Sequence, residues 1–157
     1  MGGDMAQSQS TYFTYVTAHG PITIRATQRG VAEIAFEQAK LEGAYAATET
    51  TNAAATQIQE YLAGKRRAFD VPIDMQGSAF QKAVWTEVCA VPYGQTRTAA
   101  DIADAMGKPG NHRSVGTALK QNKLAPLIPS HRVLAASATG KQAKLFRAFQ
   151  ALEQRNG

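Results

Sequence analysis

Ser130 and His131 stand side by side in the segment "LIPSHRV" (Leu127–Val133), and Glu153 follows in the closing stretch "FRAFQALEQ". A hydroxyl, an imidazole and a carboxylate are the residue types of a nucleophile, its base and the group that orients that base. Adjacent side chains in an extended segment point to opposite sides, so a direct Ser130–His131 hydrogen bond is awkward there. The surroundings also lack the Gly-x-Ser-x-Gly elbow of serine hydrolases. A triad hydrolase is therefore the weaker reading. Ser130 is otherwise a stand-in at another nucleophile's position, or a small residue in a turn.

The rest of the chain narrows the chemistry. Cys89 is the only cysteine among 157 residues, which excludes an internal disulfide and a cysteine-based zinc site. A reducing, intracellular setting is expected. The sequence offers no metal-ligand cluster and no nucleotide-phosphate loop, so neither metal nor cofactor is expected. No apolar stretch approaches the roughly 20 residues of a membrane span, and the start lacks a basic flank followed by an apolar run. Residues 1–76 hold six Lys/Arg against eight Asp/Glu, whereas residues 77–157 hold eleven against four. A basic half of this kind fits an anionic partner, nucleic acid foremost, with a solvated basic surface as the plain alternative.

Two kinds of element must position these residues. "TYFTYVTAH", "ITIRAT" and "VAEIAF", separated by Gly-containing turns, predict a three-stranded antiparallel meander. From about Asn52 a helix is expected, with Ile58, Tyr61 and Leu62 on one face and Gly64 as its stop. "FDVPID" reads as a short extended linker. After Gly77 the pattern turns helical. Ser78 is a fair N-cap, Phe80, Val84 and Val88 share a face, and Cys89 beside them reads as a small buried hydrophobe. Thr98 to Asp101 resembles a capping box opening "AADIADAM", and Asn111 is placed to cap "HRSVGTALKQ".

Two short helices joined by a Gly/Pro turn outline a helix-turn-helix. The second helix carries polar Arg113, Lys120 and Gln121 beside small Ser114, Gly116, Thr117 and Ala118. Small residues flanked by cations let a backbone approach a DNA groove closely, and they equally permit tight packing inside a protein. Between residues 97 and 132 there are six Lys/Arg and two Asp/Glu, which favours DNA.

"FQKAVWTEVCAVPYGQTRT", "IADAMGKPGNHRSVGTALKQN" and "LIPSHRV", in this order, resemble the C-terminal domain of the O6-alkylguanine-DNA alkyltransferases. "IQEYLAGKRRAFDVPID" resembles the segment just before that domain, and the β meander resembles the family's N-terminal domain more weakly. The resemblance implies an α+β fold: a small N-terminal antiparallel sheet with a helix, then a helical, winged-helix-like DNA-binding domain. The expected boundaries are a disordered start at 1–10, a sheet-and-helix domain at 11–76, and a helix-turn-helix domain at 77–157. It implies a single-use repair protein that grips DNA, flips the damaged guanine, and takes the alkyl group onto a cysteine in a Pro-Cys-His-Arg motif. Ser130 stands at the position of that cysteine.

By the same resemblance Arg113 is the finger that fills the gap left by the flipped base. Asn122 helps hold the active-site turn, His131 draws the acceptor's proton through a water, Glu153 orients His131, and Arg132 has a structural role. The implied partner is double-stranded DNA carrying O6-alkylguanine, with other repair proteins as further partners and the chain itself a monomer. Departures accompany the match. Ala99 replaces a tyrosine that assists flipping. "NKLA" replaces an Asn-Pro-x-Pro approach, and the stretch "LAASATGKQAKLF" is short for the family's alkyl-pocket loop.

Serine alters the chemistry more than any of these. A thiolate forms at accessible pH and is polarizable, whereas a serine hydroxyl is a poor nucleophile toward saturated carbon. A neighbouring base activates serine toward carbonyls, which does little for an O-alkyl ether. The reading is a family member that recognises alkylated guanine with little or no transfer. Two alternatives stay open: a true alkyltransferase with its cysteine replaced, and a degenerate DNA-binding or interaction module.

Overall fold

The computed structural model describes residues 9–134 and 140–156, and these fall into two compact units, 1–75 and 76–157. Residues 1–8 of the expected disordered start and residues 135–139 of the pocket-loop stretch lie outside the described residues; the rest of that stretch belongs to a short strand and the last helix.

The first unit is a sheet with one helix. Strands β1 (Thr11–Thr17), β2 (Gly20–Thr27) and β3 (Gly30–Ala35) form the expected antiparallel meander. A fourth strand, β4 (Ala44–Tyr45), pairs parallel with the start of β1, giving the order β3-β2-β1-β4. Two residues carry too little periodicity to announce a strand. Central β2 is buried from Ile22 to Ala26 on both faces, although its sequence alternates. The polar members of the second face have partners: Thr23 Oγ1 donates to the Glu37 carbonyl at 2.7 Å, and Arg25 pairs with Glu33 at 3.5 Å.

Helix α1 (Glu49–Leu62) starts before the apolar run that predicts it. Its capping box is made by Thr48 and Thr51 rather than by an acid, and the cap fixes the start ahead of the apolar face. Ala54, Ile58 and Tyr61 are buried from that helix, and Leu62 is half-buried. The "FDVPID" segment is extended and lies along β3, with the Val31 amide donating to the Pro72 carbonyl at 2.9 Å. Gly30 permits this approach, because a Cβ there would meet the Pro72 oxygen at 2.4 Å.

The second unit is helical. Helix α2 (Ala79–Cys89) opens on a full Ser78–Gln81 capping box and buries Val84, Trp85 and Val88. Cys89 is exposed, which corrects its expected burial: at the last turn of α2 the buried stripe is completed by Trp85 and Val88. Burial of its neighbourhood still pushes its thiol pKa up, opposed by the Arg132 charge.

Strand β5 (Arg97–Thr98) leads into α3 (Ala99–Ala105), and the Thr98–Asp101 capping box is complete. Those hydrogen bonds hold the Asp101 carboxyl below its ordinary range. A turn with Gly107 and Gly110 both at positive φ connects α3 to α4 (His112–Lys120). Asn111 stands at the cap position of α4 but makes no side-chain cap hydrogen bond; its backbone is neither extended nor helical, so the carboxamide is not aimed at the free amides. A 3-10 turn (Ser130–Arg132), strand β6 (Val133–Leu134) and α5 (Gly140–Asn156) follow. β6 pairs parallel with β5, joining Arg97 to Val133 and Thr98 to Leu134.

Candidate active site and nucleic-acid interface

The segment around Ser130 is not extended, as the sequence suggests, but closes into a 3-10 turn. Pro129 precedes it without an amide to give, and the Arg132 amide donates to the Pro129 carbonyl at 2.9 Å. Ser130, His131 and Arg132 are all buried, Ser130 to 2 % exposure. Burial of three polar side chains in one turn requires that partners meet them from elsewhere.

Asn122 holds the serine. Its Nδ2 donates to Ser130 Oγ at 2.8 Å and to the Ile128 carbonyl at 2.8 Å, while its Oδ1 accepts from the Leu124 amide at 2.8 Å. One buried carboxamide thus ties the stretch leading into the turn to the hydroxyl within it. Glu153 holds the other half. Its carboxylate accepts from His131 Nε2 at 2.5 Å, from Arg132 Nε at 2.9 Å and Nη2 at 3.0 Å, and from the Gly94 amide at 3.0 Å.

The remaining groups fix orientation. Arg132 Nη1 donates to the Val91 carbonyl at 2.8 Å, and its guanidinium lies 5.5 Å from the Tyr93 ring centre. Gln150 Nε2 donates to the His131 carbonyl at 2.8 Å, and Phe149 meets the imidazole edge-on at 5.2 Å. Gly94 sits at φ +79, which presents its amide to the carboxylate in a conformation that other residues rarely adopt.

Burial pushes the His131 pKa down; the Glu153 hydrogen bond and charge oppose this, and the Arg132 charge adds to it. The net direction keeps the imidazole neutral near pH 7. A carboxylate can only accept, so the proton of the neutral ring sits on Nε2 and Nδ1 is the basic atom. The arrangement is a neutral base oriented by an anion, beside a small nucleophile-type side chain. Its anion is shared with an arginine that cannot lose its charge.

The arrangement unites Ser130, His131, Asn122 and Glu153, which the sequence reading names together. It also recruits Gly94, Val91, Tyr93 and Gln150, which that reading does not name. The only available signal was the "PYG" turn; a carbonyl and a glutamine on a helix carry none.

The helix α4 face is different in kind. Arg113, Ser114, Thr117, Lys120 and Gln121 are exposed and fall on one side of the helix, with Val115 and Leu119 buried on the other. Ala118 does not join the exposed set. It is buried, and its carbonyl accepts from Trp85 Nε1 at 2.9 Å, so it belongs to the packing of α4 on α2. A Cβ at Gly116 would meet nothing within 4 Å, so internal packing does not require the glycine. Ala99 is half-buried at the first position of α3. Gln121 touches Gln81 across the surface.

Among the described residues no group of three or more His, Cys, Asp or Glu could hold a metal, and no helix is long and apolar enough to cross a membrane.

Comparison with known proteins gives a consistent result. The family described as "6-O-methylguanine DNA methyltransferase, DNA binding domain" matches residues 79–155, and the "ribonuclease-like domain" of the same enzyme matches residues 11–75. A methylated-DNA–protein-cysteine methyltransferase of Methanosarcina barkeri is 38% identical over 73% of this chain and 76% of its own length. The constitutive enzyme of that name from Bacillus subtilis is 46% identical, over 55% of this chain and 53% of its own. The crystal structure of Mycobacterium tuberculosis OGT in complex with DNA superposes with a TM-score of 0.82 at 32% identity, covering 94% of each chain. With both units matched in order, the chain belongs to the O6-alkylguanine-DNA alkyltransferase family.

Proposed function

We propose that this protein binds duplex DNA containing O6-alkylated guanine, turns the damaged base out of the stack, and transfers the alkyl group little or not at all. The observation that carries the reading is the hydroxyl of Ser130, buried beside a fully assembled base and carboxylate, in a family whose members are named for a cysteine acceptor. DNA is the partner that the family and the DNA-bound relative support. The exposed α4 face, with Arg113 as the finger and Ser114, Thr117, Lys120 and Gln121 around it, meets the groove, and Ala99 faces the phosphate beside the flipped nucleotide. The protein works inside the cell, where that DNA is.

The chemistry follows from the acceptor. Transfer is displacement at a saturated carbon: the acceptor bonds the alkyl carbon as the carbon–O6 bond breaks, and guanine leaves. His131 Nδ1 would have to remove a hydroxyl proton far less acidic than that of a thiol. Asn122 donates into the Ser130 oxygen and draws electron density from the atom that must attack. The base and its orienting anion are in place for a reaction that the oxygen does not perform.

A second reading is a true alkyltransferase in which serine replaces the acceptor. The completeness of the Asn122, His131, Arg132 and Glu153 network favours it, because an abandoned reaction does not require the base to stay oriented. One experiment addresses both readings. Wild type and Ser130→Cys are incubated with duplex carrying labelled O6-methylguanine, and protein-bound label is measured. The expected result is no label on the wild type. Label regained by Ser130→Cys places the whole deficit in the acceptor atom and supports the second reading. Label on wild-type Ser130 removes the proposal. Competition binding tests recognition itself: the alkylated duplex should displace the probe at lower concentration than the undamaged one.

A further inference from the structure

The second unit segregates its charges. Residues 77–157 hold four carboxylates, Glu87, Asp101, Asp104 and Glu153. Three of them line one groove of about 450 Å³ together with Arg97, and the fourth is buried against His131 and Arg132. The outer surfaces of α4 and α5 are left with cations.

On α5, Lys141, Lys144, Arg147, Ala148, Ala151, Gln154 and Arg155 are exposed. At 100° per residue these positions form one continuous face, opposite Phe149 and Glu153. The face runs about 21 Å along the axis at 1.5 Å per residue. It carries four positive charges and no carboxylate. An ordinary solvated helix mixes signs so that neighbours three and four apart attract. This helix also has no acid in its first turn, where Lys141 opposes the helix dipole. Among the described residues Lys144, Arg147 and Arg155 take part in no ion pair.

We infer that the outer face of α5 is a second phosphate-contacting surface, distinct from the α4 face, that adds sequence-independent affinity for the DNA backbone. The inference rests on the DNA reading above and adds a contact region to it. Stacked like charges at these spacings repel in the free protein, and a row of phosphates is the partner that converts this repulsion into attraction. The contribution is lesion-blind, because a phosphate carries no information about an alkylated base.

The test is the salt dependence of binding by the full chain, read by fluorescence anisotropy on an undamaged duplex and on the same duplex with one O6-methylguanine. The triple variant Lys144→Gln/Arg147→Gln/Arg155→Gln should flatten the slope of log K against log [KCl] by about 2.7, at roughly 0.9 per lost phosphate contact. Between 50 and 200 mM salt the wild type should then lose about 40-fold more affinity than the variant. The ratio of damaged to undamaged binding should stay within about twofold of wild type, since phosphate contacts do not read the base. The charge-preserving variant Lys144→Arg/Arg147→Lys/Arg155→Lys should keep the wild-type slope. If the triple variant melts early, the single variants each replace it, with a slope change of about 0.9. An unchanged slope overturns the inference, whether the face then serves an acidic protein or only solvent. A loss confined to the damaged duplex overturns it as well. A wild type that binds duplex with no lesion preference removes the proposed recognition but leaves α5 to be judged by its slope. A wild type that binds no duplex removes both.

Discussion

The Ser130 turn and the exposed face of α4 sit in the same unit and are built on opposite rules. In the turn, Ser130, His131 and Arg132 are each buried and held by side chains of Asn122, Glu153 and Gln150. On α4, Arg113, Ser114, Lys120 and Gln121 are exposed, and the Thr117 hydroxyl donates within the helix, to the Arg113 carbonyl at 3.2 Å. A reacting group must be presented in one geometry before the substrate arrives, whereas a binding face can settle on its partner. Substitutions in the turn should therefore act mainly on stability, and those on α4 mainly on binding.

Glu153→Ala presses hardest on that contrast. It leaves Arg132 buried without its anion and should destabilise the fold by about 3–5 kcal/mol in urea titrations. A loss below about 1 kcal/mol, the scale of an exposed pair, would mean that Glu153 does not hold the buried turn in place. Asn122→Ala, which strands the Leu124 amide and frees Ser130, should remove about 2–3 kcal/mol by the same measurement. Arg113→Ala should do the reverse. Its melting temperature should match wild type, while binding to the alkylated duplex weakens by about 1–3 kcal/mol. Equal losses in both quantities would erase the distinction between the two regions.

Smaller effects refine the picture. Gly94→Ala forces a side chain into positive φ and should destabilise by about 1–2 kcal/mol, seen in the denaturation midpoint. The smallest is a pH effect. The folded His131 pKa lies below its ordinary 6.5, so the unfolded chain takes up the proton first as pH falls. Stability attributable to this group is complete above that value and declines as pH drops below it toward the folded pKa. His131→Asn should flatten the decline between pH 7.5 and 5; a variant that keeps the wild-type decline would assign it to other groups.

Much of this was legible in the sequence, for identifiable reasons. Alternation announced β1 to β3, and Ser78, Thr98 and Asp101 announced helix starts, because caps and periodicity are local. The pairing of His131 with Glu153 was reached through family resemblance, since nothing local joins residues on a turn and a distant helix. Where tertiary contacts decide, the local reading failed. Cys89 is exposed because Trp85 and Val88 complete the buried stripe of α2, and Ala118 is buried because α4 turns it toward Trp85. Ser130 lies in a 3-10 turn rather than an extended segment, shaped by Pro129 and by the carboxamide of Asn122. Arg113 and Lys120 are exposed on α4, where charged side chains lie by default.

The two-rung pairing of β5 with β6 gives the second unit a mechanical coupling. Thr98 is at once the cap of α3 and a rung beside Leu134, so the start of α3 and the chain leaving the Ser130 turn are joined through one short piece of paired backbone. Any shift at the start of α3 would be carried through those two rungs to the residues that immediately follow Arg132, so the position of one helix end is tied to the exit of the Ser130 turn.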